Sequence, residues 1–86
     1  MQKLNELLQE LGISKVRLAK YLGVSRQMVY NYLELDDLSK WPKEKKIMLY
    51  RLLDINVESL IYKIKITTDY LMNVESKLSK NSKARE

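Results

Sequence analysis

The sequence predicts an all-α fold of four to five helices, and three observations carry that prediction. Only two glycines and one proline punctuate the 86 residues, while leucine, lysine and glutamate are frequent, a composition that favours helices. Apolar residues recur at spacings of three and four along most of the chain. Two serines suited to cap helices, Ser14 and Ser25, each follow a glycine by two residues.

The elements follow in order. Leu4, Leu7, Leu8 and Leu11 form one face of a first helix, which Gly12 ends. Ser14 then caps a second helix over about Lys15 to Leu22, burying Val16 or Leu18 together with Ala19 and Leu22. Glycine in a helix interior costs about 1 kcal/mol relative to alanine, so Gly23 marks a stop. Ser25 caps a third helix from about Arg26, with Val29, Tyr32 and Leu33 on its core face. Arg26, Gln27, Tyr30 and Asn31 fall on the other side. The acidic segment ELDDLSKW reads as a loop, with at most one helical turn at its start. Pro42 suits the first turn of a fourth helix, where its missing amide hydrogen is not needed. That helix runs to about Leu53 and offers Ile47, Met48, Leu49, Leu52 and Leu53 as its apolar side.

The last third admits two periodicities. Val57, Leu60, Ile64, Thr67, Leu71, Val74 and Leu78 alternate threes and fours, the pattern of a heptad seam. Residues 62–66, YKIKI, alternate apolar and basic residues instead, as a half-buried strand does. The heptad pattern is the longer of the two, so the reading is one long helix over residues 55–80, with strand the alternative at residues 61–66. The final residues, 81–86, read as a flexible basic tail.

Composition excludes several functions. With no cysteine and no histidine, the chain lacks disulfides, thiolate metal sites, the commonest zinc ligand and the commonest general base. Asp36 and Asp37 are the only adjacent carboxylates, with no nucleophile or phosphate cradle beside them, so neither an enzyme nor a cofactor-binding or metal-binding protein is expected. The apolar stretches are too short to cross a bilayer and MQKLNELLQE lacks a signal-peptide core, so a cytoplasmic location is the expectation. The net charge of +5 favours a polyanionic partner.

The stretch LAKYLGVSRQMVYNYL resembles the helix-turn-helix of the lambda-repressor and Cro-like (Xre) family of bacterial and phage regulators. Ala19 matches the small residue where the two helices cross, Gly23 the turn, and Leu18, Leu22, Val24, Val29 and Tyr32 the apolar positions. The resemblance is tightest over Lys15 to Glu34 and extends more loosely across residues 2–53. It implies sequence-specific binding of double-stranded DNA by a small transcriptional regulator, most simply a repressor that occupies a promoter. Carried across position by position, it places Ser25, Arg26, Gln27, Tyr30 and Asn31 toward the bases of the major groove. The chemistry suits that role: Arg26 can donate to guanine, Gln27 and Asn31 can pair with adenine, and Tyr30 can reach a phosphate or a thymine methyl. Lys15, Lys43, Lys45 and Lys46 are candidates for backbone phosphates.

The resulting organisation is a DNA-binding unit over residues 1–54 followed by a dimerisation helix over 55–80. Val57, Leu60, Ile61, Ile64, Thr67, Leu71, Val74 and Leu78 would form the interface of a homodimer. Such a dimer would set two recognition helices about 34 Å apart on a palindromic site. The alternatives are a last helix folded back on its own domain, and a module that grips another protein, as an antitoxin or adaptor would. A DNA-binding component of a plasmid, phage or recombination system shares the same chemistry. Trp41 reads as a core plug under the acidic loop, and Tyr21 and Tyr50 as packing residues with a wet hydroxyl.

Overall fold

A computed structural model describes residues 2–84, with side chains through residue 80. It holds five α-helices: α1 (Gln2–Glu10), α2 (Lys15–Leu22), α3 (Arg26–Glu34), α4 (Lys43–Leu53) and α5 (Thr68–Ala84). Short 3-10 turns at Leu38–Lys40 and Glu58–Lys63 flank α4 in sequence, and no β-strand occurs among the described residues. The all-α expectation therefore holds.

The leucine face of α1 is buried, as its spacing requires, and Leu11 and Ile13 continue it into the turn. Between the two candidates on α2, burial selects Leu18 at 0% exposure over Val16 at 44%. Leu18, Ala19 and Leu22 meet Val29, Tyr32 and Leu33 of α3, and Leu49, Leu52 and Leu53 of α4 complete the centre. Trp41 closes the core beneath the acidic segment. Its Nε1 donates to the Tyr32 carbonyl at 3.0 Å, and its ring lies 5.1 Å from that of Tyr32. The tryptophan thus buries its apolar body and satisfies its single donor at once. The helical turn in this segment falls at its end rather than its start. Asp37 caps that turn by accepting from Ser39 N at 2.9 Å, and Glu58 accepts from Leu38 N at 3.1 Å.

The long helix expected over residues 55–80 does not form. Asp54 adopts a left-handed conformation (φ 58°, ψ 47°) and terminates α4, with Ile55 N donating back to the Tyr50 carbonyl at 3.0 Å. A 3-10 turn follows, then an extended link over residues 64–67, and only then α5. Neither a continuous heptad seam nor a paired strand results. The physical reason is that the apolar residues of this region already have a core to enter. Ile61, Val74 and Leu78 are buried in the same cluster as α1 to α4, and Leu60, Ile64 and Leu71 are half-buried. Val57 and Thr67 are exposed, and Thr67 caps α5 by accepting from Tyr70 N at 3.1 Å.

Polar bonds fix α5 where the apolar residues place it, across α2 and α4. The Tyr70 hydroxyl donates to the Leu53 carbonyl at 2.7 Å, and Lys77 Nζ donates to the Arg51 and Leu52 carbonyls at 2.6 and 3.5 Å. The last carbonyls of a helix lack partners within it, so α5 supplies what the end of α4 needs. Burial pushes the Tyr70 hydroxyl up to about 12, with the Asp54 carboxylate adding to the effect. Arg17 of α2 grips Glu75 of α5 through two bonds, Nη1 to Oε2 at 2.9 Å and Nη2 to Oε1 at 2.8 Å. The Arg17 hydrogen bond holds the Glu75 carboxyl below its usual range. Of the tail expected over residues 81–86, the backbone to Ala84 continues α5; its flexibility lies outside the described residues.

Candidate nucleic-acid interface

The helix pair at residues 15–34 is built from local bonds. Ser14 Oγ accepts from Arg17 N at 3.2 Å and opens α2. At its other end Gly23 takes a left-handed conformation (φ 73°, ψ 33°), and both Gly23 N and Val24 N donate to the Ala19 carbonyl, at 2.9 and 3.0 Å. A β-carbon at that φ strains the chain, which explains the glycine. Ser25 Oγ then accepts from Met28 N at 3.2 Å and opens α3. The end of α2 receives one further bond, from Lys45 Nζ to the Leu22 carbonyl at 2.9 Å.

This arrangement leaves one side of α3 uncovered. Ser25, Arg26, Gln27, Tyr30 and Asn31 are all exposed, while Val29, Tyr32 and Leu33 are buried beneath them. Two of the exposed residues are joined: Gln27 Nε2 donates to Asn31 Oδ1 at 3.1 Å. Tyr30 is engaged with another candidate, since Lys15 Nζ stands 5.3 Å from the centre of its ring. At that distance the ammonium is attracted to the ring face, which steadies a long, flexible side chain. Lys15, Arg26 and Tyr30 line an open groove of about 520 Å³ together with the buried Leu8, Ile13 and Leu33 and the carboxylate-bearing Glu34.

The other basic candidates divide. Lys43 is exposed and Lys46 half-buried at the start of α4, whereas Lys45 is occupied with the α2 carbonyl and lies 3.7 Å from Glu44. The Lys45 amine is a cap for α2 rather than a hand held out to solvent. The two adjacent aspartates also have local work, Asp36 pairing with Lys40 at 3.0 Å and Asp37 capping the 3-10 turn.

Of the residues assigned to a dimer interface, Ile61, Val74 and Leu78 cannot face a partner while they fill this core. The sequence reading also passed over Arg17, Glu75 and Lys77, which lock α5 in place. Their partners lie 58 and 26 residues away, so no local pattern announces them. Met28 is a further exposed residue on α3 that the polar pattern of its neighbours obscured. Among the described residues no helix is long and apolar enough to cross a membrane, and no cluster of three or more acidic residues has the arrangement of a metal site. Comparison with protein-family models, with curated proteins and with solved structures returns no match.

Proposed function

We propose that this chain binds double-stranded DNA sequence-specifically, laying the N-terminal half of α3 in the major groove, and acts as a small transcriptional regulator. The observation that carries this reading is the uncovered face of α3. Arg26, Gln27, Tyr30 and Asn31 project from a helix whose start and turn are fixed by two serine caps and Gly23. A rigid, exposed helix end with amide and guanidinium side chains fits the hydrogen-bonding edges that base pairs offer in that groove. Lys15 beside Tyr30, with Lys43 and Lys46 at the start of α4, supplies positive charge for the phosphates on either side.

The simplest regulation that DNA binding alone can perform is repression by occupying a promoter, in the cytoplasm of a bacterium or of a phage-infected cell. Two copies on a palindromic site would double the phosphate contacts and steepen the salt dependence. Fluorescence anisotropy on the promoter next to the protein's own gene, against scrambled DNA and at two salt concentrations, tests the proposal. The wild type is expected to prefer the promoter and to weaken steeply as salt rises. An Arg26→Ala, Gln27→Ala double variant is expected to lose at least tenfold on the promoter while retaining its weak grip on scrambled DNA. Equal, salt-insensitive binding to both duplexes, unchanged in the variant, would sink the DNA reading and favour a protein partner.

A further inference from the structure

We infer that Gln27 and Asn31 act as one unit that reads a single adenine. This rests on the proposed docking of α3 in the major groove and adds what that docking would select. The two amides lie one helical turn apart on the uncovered face and are bonded to each other, Gln27 Nε2 to Asn31 Oδ1 at 3.1 Å. A pair at this spacing also stabilises a helix slightly by itself. Its consequence for recognition lies in what the bond leaves over.

With Nε2 engaged, Gln27 turns its Oε1 outward as an acceptor. With Oδ1 engaged, Asn31 turns its Nδ2 outward as a donor. In the major groove adenine offers a donor at N6 and an acceptor at N7, so each amide can make one bond to the same base. Guanine offers acceptors at both O6 and N7, which sets an acceptor against Gln27 Oε1. Cytosine offers the N4 donor but nothing for Asn31 to address. Turning both amides over together keeps the bond, and in either arrangement the pair presents one acceptor and one donor to the base. Arg26, adjacent in sequence and without an acceptor of its own, is complementary to the guanine that this pair rejects.

The test begins with selection of bound sequences from a randomised duplex pool by the full chain at moderate salt. An enriched site containing one indispensable A·T pair is expected. Replacing that adenine by 7-deaza-adenine, which lacks N7, should weaken wild-type binding about tenfold, and purine, which lacks the 6-amino group, should do the same. The Gln27→Glu variant places a carboxylate opposite Asn31, so that the Asn31 amide turns over and two acceptors face the base. Its selected site should then carry cytosine in place of that adenine, whatever the overall loss in affinity. Circular dichroism of the variant checks that the exposed substitution leaves the helices intact. An enriched site indifferent to both adenine analogues, or a Gln27→Glu variant that still selects adenine, overturns the inference and leaves the DNA reading standing. Failure to enrich any sequence overturns both.

Discussion

Residues 14–34 and residues 57–84 are both helical, both apolar on one side and both basic, yet they are specified in opposite ways. The caps and turn of the first region are made by bonds that reach three to five residues: Ser14 to Arg17, Ala19 to Gly23 and Val24, Ser25 to Met28. The second is held by bonds that reach 17 to 58 residues, from Tyr70 to Leu53, Lys77 to Arg51 and Glu75 to Arg17. A helix pair whose caps and turn are set by local bonds shows its boundaries in the sequence, even though helices of eight and nine residues rely on the core for their stability. A segment fixed by distant bonds takes the structure its surroundings allow, and its own periodicity is a weaker guide.

The largest test of this contrast is Leu78→Ala. If α5 belongs to the core, truncating a side chain that is 4% exposed lowers stability by about 2–5 kcal/mol. Urea denaturation reads the loss, and its midpoint is expected to be independent of protein concentration. A midpoint that moves with concentration would return Leu78 to a subunit interface.

Gly23→Ala probes the local region. A β-carbon at φ 73° is expected to lower stability by about 1–2 kcal/mol, measured by thermal or urea denaturation. Under the proposed docking of α3 on DNA, the same substitution should also weaken that binding, because the angle between α2 and α3 passes through this residue. A neutral result would mean that the packing of α5 across α2 sets the turn, and the contrast drawn above would fail.

Tyr70→Phe removes the hydroxyl that α5 offers to α4, for an expected loss of about 1 kcal/mol at neutral pH. The pH dependence carries a sign. The folded Tyr70 keeps its proton up to about 12, whereas an unfolded tyrosine loses it near 10. Its stabilisation is therefore complete below about pH 10 and is lost as pH rises from there toward 12. Wild type should lose more stability than the phenylalanine variant across that window, a difference that removes the contribution of the other tyrosines.

The smallest effect belongs to Arg17 and Glu75. Their side chains are 38% and 40% exposed, so water screens them, and a double-mutant cycle to alanine should return about 0.5 kcal/mol. Glu75 is held below its ordinary value of 4.5, so the contribution is present at neutral pH and disappears as pH falls through the lower folded value. Repeating the cycle at pH 3 and pH 7 should give a smaller coupling under acid. Coupling that persists unchanged at low pH would assign the interaction to packing of the two side chains rather than to charge.

These residues also mark how far the sequence could be read. The leucines of α1, the serine caps, the stop at Gly23, the plug at Trp41 and the exposed side of α3 all follow from patterns contained within a few residues. Lys45 shows the limit for the candidate site: nothing near it in sequence reveals that the Leu22 carbonyl lies 2.9 Å from its amine. Asp54 shows the same limit for the fold, because aspartate in a left-handed stop carries no glycine to announce it.

By itself, the sequence determined the all-α class, the caps and turn of α2 and α3, and which side chains of α3 face outward. Those are settled by hydrogen bonds and apolar spacing within one or two helical turns. Tertiary structure alone decided that residues 55–80 break into a 3-10 turn, an extended link and a helix. A heptad pattern records that a helix has an apolar side but not which surface will cover it. Here the chain's own core was within reach, and Ile61, Val74 and Leu78 filled it.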